Sequence, residues 1–467
     1  MSIQSGNVAT LATGTVSHRG PAVLLIILVC LLGFTTLVQT FFIIPNPRLF
    51  VRWFELLFAG FFLFEASRGQ IGPHIMPPMA GWLFVGWLLT ASISVALAVH
   101  VAPALIRHAE WLTHILFGVT LWSYLQRNHA FLKVLFIAIL VGFLLNGVNL
   151  LSTWFSLPNP RDYNWFEGIP LIGHARHLGY YGLAALIAAG GLLLNDVRTV
   201  KWPRRLLVLA GLSVCWGFLF WAGGRAAIGS GVVGLALILW CADKKQRPPL
   251  AGIFVVAVGI GLWLSTLFMV NDPRMGFLFS LQRTVADTSA YGVDGFTTGR
   301  LTIWSVALRN LAGHYWFGLG PDGYRFIEDP HHGIQPHGML VQFLVEWGII
   351  GTILFSGLLL VILWKGFVLV RRGQDPVLKA AQGTALALVV GCILHSLVDG
   401  LFYHAQPLLF LVIGFALLLL PTTQGHTPSV RHPVFDRLTA RRTLRVIVVL
   451  LGLLFLLNSD LIYQFLY

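Results

Sequence analysis

Thirteen apolar stretches of membrane-spanning or near-spanning length divide this chain of 467 residues. They lie at roughly 21–44, 49–65, 78–99, 102–124, 131–156, 175–194, 205–222, 226–241, 250–270, 339–364, 380–398, 407–421 and 444–460. About 20 mostly apolar residues cross a bilayer core as a helix. A helix also satisfies its own backbone hydrogen bonds where no water can. The second, eighth and twelfth stretches are short, so the expectation is an all-α polytopic integral membrane protein with 12 or possibly 13 transmembrane helices. Composition agrees: 57% of residues are hydrophobic and 10% are charged, against about 25% charged in soluble domains. An ordinary cytosolic enzyme, a disordered chain and a secreted disulfide scaffold are excluded. Cys30, Cys215, Cys241 and Cys392 all sit in apolar runs and read as buried thiols. The first stretch follows Arg19 and lacks a small-residue cleavage site at its end. It is longer than a secretory core and reads as a retained helix.

The net charge of +13, from 31 Lys+Arg against 18 Asp+Glu, would suggest nucleic acid in a soluble protein. In a membrane protein it sets orientation instead, and no nucleic acid partner is expected. With the N-terminus in the cytoplasm, all the lysines fall inside: Lys133, Lys201, Lys244, Lys245, Lys365 and Lys379. They are accompanied there by Arg198, Arg204, Arg205, Arg247, Arg371, Arg372 and the arginines of 422–445. The chain then divides into N-terminal helices over 1–270 with a short periplasmic loop at 157–173, a large periplasmic loop at 271–338, and C-terminal helices over 339–467. Within the large loop, Ile303, Trp304, Ala307, Leu308 and Leu311 are at helical spacing, predicting a helix over 299–312. Residues 275–286 predict an interfacial helix.

The basic residues left on the outer side are all arginine. Arginine offers a planar fork that grips phosphate through two hydrogen bonds. Arg48, Arg52, Arg274 and Arg283 read as snorkelling at helix ends. Arg225 lies in the tight Gly223-Gly224-Arg225 turn, and Arg300 opens the predicted loop helix, where backbone N–H groups favour an anion. Arg161 and Arg176 flank the shorter loop, the latter in His174-Ala175-Arg176-His177. These four are the candidate ligands of an anionic donor. His337 closes the large loop between Pro336 and Gly338 and is the candidate general base. Tyr324, Gln335 and His174 are candidates for orienting substrate. Trp154, Trp165 and Trp316 read as interface anchors. His331 and His332 raise the question of a metal site, but hard divalent ions want clustered carboxylates. The outer acids are scattered, so neither a metal nor another cofactor is expected.

The run Thr298-Gly299-Arg300 and Trp304, then Phe317-Gly318-Leu319-Gly320 with Gly323 and Tyr324, then His337-Gly338 and Glu346-Trp347-Gly348-Ile349-Ile350-Gly351, resembles the O-antigen ligase/polymerase superfamily. The resemblance covers roughly 160–420. Gly338 stands where many members carry Asn. The Gly-Gly-Arg225 turn resembles an earlier arginine turn of the family, and His395 and Asp399 resemble a recurring pair in its penultimate helix. The resemblance implies a fold similar to the C-type lipid-dependent glycosyltransferases. It implies transfer of a polysaccharide from undecaprenyl pyrophosphate to the lipid A–core of lipopolysaccharide, at the periplasmic face of the bacterial inner membrane. It also implies chemistry without metal or nucleotide, with essential roles falling on Arg225, Arg300 and His337. Attack opposite the leaving group would invert the anomeric centre. Two rivals stay open: an O-antigen polymerase of the same superfamily and, from a different class, a polytopic lipid or solute transporter.

Overall fold

The computed structural model describes residues 51–52, 54–60, 78–126, 129, 131–170, 172–194, 202–327, 335–373 and 375–421. The apolar stretches at 21–44 and 444–460, the arginines of 422–445, and His331 and His332 lie outside the described residues. Twelve α-helices are described: α1 (Pro78–Ala96), α2 (Val101–Leu125), α3 (Phe131–Ser156), α4 (Ala175–Gly191), α5 (Trp202–Ala222), α6 (Arg225–Cys241), α7 (Arg247–Leu267), α8 (Phe277–Phe296), α9 (Arg300–Arg309), α10 (Met339–Arg372), α11 (Pro376–Ser396) and α12 (Ala405–Leu418). Short 3₁₀ turns occupy Gly323–Phe326 and Leu401–Tyr403. No β-strand occurs among the described residues, only one isolated bridge between Ile169 and Gly173.

Six described helices, α1, α3, α5, α7, α10 and α11, are long and apolar enough to cross a membrane, and α6 and α12 are apolar but shorter. That is the make-up of a multi-pass membrane protein. Helix α2 is a further long helix of the bundle. It buries Arg107, His108, Glu110 and His114 among its neighbours. Helices α4 and α11 form the middle of the bundle. Every residue of α4 is buried except Arg176 and His177, and its Gly and Ala surface lets α3, α5, α6 and α11 approach closely.

The buried charges on α2 correct one expectation. Arg52 does not snorkel. It is 4% exposed and pairs with Glu110, which also holds Arg107. Arg107 in turn donates to the Phe402 carbonyl at 2.7 Å and stacks over Tyr403 at 5.1 Å. The Tyr403 hydroxyl donates to Asp322 at 2.7 Å. A buried charge system therefore ties α2 to the turn that follows α11 and to the 318–323 loop.

Both expected loop helices form. Helix α9 matches the predicted 299–312. Its first turn is capped by the Asp294 carboxylate, which accepts from Leu301 N at 3.1 Å and from the Thr302 hydroxyl at 2.7 Å. Helix α8 starts where expected but runs on to Phe296, with a break at Gly292. It leaves Leu278, Phe279, Leu281, Val285 and Val293 exposed, as an interfacial helix does. Helix α10 is broken at Gly348, whose φ of 67° lies in the left-handed region. The loop fills that break. Leu319 N donates to Val345 O at 2.7 Å and Ile349 N to Tyr315 O at 2.8 Å. A Cβ on Gly318 would come within 2.4 Å of the Val345 carbonyl oxygen. The Gly-x-Gly motif and the Glu-x-Gly motif are thus the two halves of one backbone joint.

Alternate helix ends separate into two faces. The contacts Val99–Leu319, Asn271–Arg161 and Gly276–Trp221 gather both long loops on one face. Lys379 and Asp243 meet at the other, 3.8 Å apart.

Candidate functional site

His337 stands at the centre of the loop face. Its φ of 49° is in the left-handed region, which a non-glycine residue occupies only when its surroundings impose it. The imposing contacts come from α9. Trp304 donates its indole N–H to the Pro336 carbonyl at 2.9 Å, and its ring covers Gly338. A Cβ at 338 would lie 2.9–3.1 Å from the Trp304 ring. The glycine that departs from the family pattern is therefore the one that lets Trp304 close over the loop.

The His337 ring meets Asp399 from the turn after α11, with Nδ1 3.3 Å from Oδ1. The second carboxylate oxygen of Asp399 is 3.6 Å from His395 Nε2, and Gly400 N donates to Oδ1 at 2.8 Å. Asp399 is 5% exposed. Burial alone would raise its pKa, but hydrogen bonds from His337 and His395 and the positive charges of His395 and Arg176 hold it well below the usual carboxylate range. It is thus a fixed negative charge that orients an imidazole.

On the other side of the imidazole is Arg176, whose Nη1 is 3.3 Å from His337 Nε2 and 3.5 Å from Nδ1. Arg225 donates to the Thr284 hydroxyl at 2.5 Å and to the Thr298 hydroxyl at 3.3 Å. Arg300 reaches the same Thr298 hydroxyl at 3.3 Å and the Thr297 carbonyl at 3.2 Å. One hydroxyl thus bridges two guanidiniums. Burial lowers the Arg300 pKa, Asp399 opposes that shift, and Arg176 and Arg225 add to it. Arg283 lies close enough to act on Arg225, and its Nε is buried without a hydrogen-bond partner among the described residues. It therefore lies near Arg225, with only part of its side chain in solvent. Crowding cations this way is unfavourable unless an anion joins them; among the described residues the carboxylates acting on these arginines include the buried Asp399 and the half-buried Asp287.

The remaining candidates fall elsewhere. Arg161 is exposed on the 157–173 loop, and its carbonyl accepts from Asn271 N at 2.9 Å. His174 caps α4, its Nδ1 accepting from Arg176 N at 3.0 Å. Burial, then the positive Arg176 and His177, push its pKa down to about 4, so it holds the arginine's backbone as a neutral ring. Gln335 is buried, with Nε2 3.3 Å from His404 Nε2. Tyr324 is 2% exposed within the loop's own apolar core of Val306, Leu311, Leu319 and Val345, a packing position. Trp165 is also buried, stacked on Trp154 at 5.6 Å, whereas Trp316 is exposed. Trp165 is thus no interface anchor. Arg274 forms an exposed clamp with Glu167 and Asp272. Thr284 and Thr298 were missed from sequence. The only hint was that Thr298 precedes a glycine at a helix start. Among the described residues no group of three or more His, Cys, Asp or Glu side chains is arranged to hold a metal ion.

Comparison with known proteins bears on the stretch that carries most of these residues. A search among curated proteins found no match. Residues 209–356 match the family model described as O-antigen ligase. The matched stretch is just under a third of the chain and contains Arg225, Thr298, Arg300, Trp304 and His337. The match, falling on the loop face of a multi-pass helical bundle, supports the O-antigen ligase/polymerase superfamily for this chain.

Proposed function

We propose that this protein is an O-antigen ligase. It transfers a polysaccharide from undecaprenyl pyrophosphate to a sugar hydroxyl of lipid A–core, without a metal and with inversion, at the periplasmic face of the bacterial inner membrane. The observation that carries this reading is the juxtaposition of an Asp399-backed histidine with three converging arginines. In this reading the acceptor hydroxyl oxygen attacks the anomeric carbon and its proton passes to His337. With Nδ1–H held by Asp399, Nε2 is the accepting nitrogen. The bond from the sugar to the pyrophosphate oxygen breaks, and lipid pyrophosphate leaves with the electron pair. Arg225 and Arg300 take up the charge that develops there. Each such preorganised donor is worth about 3–4 kcal/mol, or 10²–10³ in rate. Arg176 competes for Nε2 until the pyrophosphate draws its guanidinium away. Arg161 is kept as an outer donor contact. His174 and Gln335 act by orienting Arg176 and the 399–404 turn, and Tyr324 by supporting the loop.

The test is to incubate the purified protein with undecaprenyl-pyrophosphate glycan and lipid A–core. Joined product is expected, and its loss in a folded His337→Ala protein. Product from a folded His337→Ala protein at near-normal rate would overturn the general-base assignment. Lengthening of the lipid-linked glycan itself would assign the protein to the polymerases. Turnover in detergent, with no compartments, would not occur for a transporter. Chelator should leave the rate unchanged.

A further inference from the structure

The face opposite the site holds a second concentration of positive charge that the proposed reaction does not use. Helices α6 and α10 both begin beside the site and α11 ends there. Their far ends, Cys241, Arg372 and Pro376, therefore lie across the bundle. Helix α11 alone spans about 32 Å at about 1.5 Å per residue, close to the thickness of a bilayer core. Between these far ends is an open cleft of about 620 Å³ lined by Trp240, Asp243, Lys244, Arg247, Arg371 and Lys379. It shares Cys241, Ala242, Asp243 and Lys379 with an adjoining hollow of about 600 Å³. Four cations face one carboxylate, Asp243, which is exposed and touches Lys379 at 3.8 Å.

Two of these cations are held in place. The Arg247 guanidinium donates to the carbonyls of Ala242 at 3.2 Å and Trp240 at 3.0 Å. The Arg371 guanidinium lies over the rings of Phe367 at 4.8 Å and Trp240 at 5.3 Å. Neither has a carboxylate partner among the described residues. The cations come from three separate segments, so the cleft is a product of the fold and not one basic run of sequence.

The wall of the cleft says what kind of anion fits. Trp240 stacks on Phe367 at 5.0 Å, and Phe367 on Trp364 at 5.9 Å. Trp364 is 68% exposed, and Leu360 and Ile353 continue the exposed apolar side of α10. An apolar, lipid-facing surface thus leads into a cationic cleft. A headgroup phosphate can sit among the guanidiniums while its acyl chains follow the aromatic ladder. A free phosphate would have no use for the ladder.

We propose that this cleft is a binding site for an anionic phospholipid of the leaflet opposite the active site, with Arg247, Arg371 and Lys379 on its phosphate. The proposal does not depend on the reaction assigned to the other face. The probe is native mass spectrometry of the full chain in detergent, titrated with dioleoyl phosphatidylglycerol and, in parallel, dioleoyl phosphatidylcholine or inorganic phosphate. The anionic lipid should bind at least about tenfold more tightly than the zwitterionic one. Each of Arg371→Gln and Lys379→Gln should weaken it about fivefold. Asp243→Asn, which removes the opposing charge, should tighten it, and this variant guards against a loss caused by misfolding. Equal binding of the two lipids, or unchanged affinity in a folded Arg371→Gln/Lys379→Gln protein, would overturn the proposal. So would inorganic phosphate displacing the lipid at comparable concentration, which would make the cleft a site for free anions.

Discussion

Replacing Asp399 by Asn keeps the size of the side chain and the oxygen that accepts from Gly400 N, and removes only the charge. That charge lies 3.3 Å from His337 Nδ1. At an effective dielectric of about 20 the attraction to a protonated imidazole is about 5 kcal/mol. The His337 side chain is 19% exposed, so solvent screens part of this, and about 3–5 kcal/mol is the range to expect at the step where the histidine takes up a proton. The rate of transfer should then fall by about 10²–10⁴. Donor binding should behave differently. Asp399 also attracts Arg300 and Arg176, so its removal leaves these cations freer for an anion. The expected result is a large fall in kcat with KM for the lipid-linked donor unchanged or lower, measured with purified protein of unaltered melting temperature. A raised KM with unchanged kcat would refute the reasoning, because it would place Asp399 in substrate binding and not behind the base.

Other expectations follow from the same geometry. Arg107→Met removes one cation from the buried Glu110 system and the donor to Phe402 O. It should destabilise the protein by about 3–5 kcal/mol, read as a lowered thermal midpoint in detergent. Gly338→Ala forces Trp304 aside and should cost about 1–3 kcal/mol, with loss of transfer larger than loss of stability if the His337 backbone shifts. Thr298→Ala removes the acceptor shared by Arg225 and Arg300 and should raise donor KM more than it lowers kcat. His174 is held neutral in the fold with a pKa of about 4, below its ordinary value of about 6.5. Between these values the unfolded chain binds the extra proton. Stability therefore falls as pH drops from about 6.5 to 4, by about 1–2 kcal/mol after solvent screening. His174→Asn keeps a cap acceptor without titrating, so it should flatten that part of the stability–pH curve.

The helical class was legible from hydropathy because a bilayer admits few other solutions. The loop helices were legible because Ile303, Trp304, Ala307 and Leu311 keep helical spacing. Arg176, Arg225, Arg300 and His337 do come together, and their type and position on outer turns was signal enough. Arg52 was misread because snorkelling and burial differ only in what lies beside the guanidinium. For Arg52 that neighbour is Glu110, more than fifty positions away. Tyr324 and Trp165 have the side chains of sugar-binding residues, but tertiary packing puts them inside. Thr284 and Thr298 acquire meaning only when the folded loop turns their hydroxyls toward Arg225. Helix α2 differs from the other apolar stretches in turning its polar side inward, which a hydropathy window does not see.

The Trp304 hydrogen bond has a mechanical consequence. Arg300 and Trp304 are one helical turn apart on α9, and Trp304 grips the peptide immediately before His337. His337 and Arg300, the proposed proton acceptor and phosphate-facing cation, are thus tied to one helix. In the proposed reaction, any shift of this loop that admitted the glycan would carry both groups together. The spacing between them would travel with it unchanged, like the fixed jaws of a caliper. Alignment with Asp399 and Arg176, anchored on other helices, would then be what each cycle has to restore.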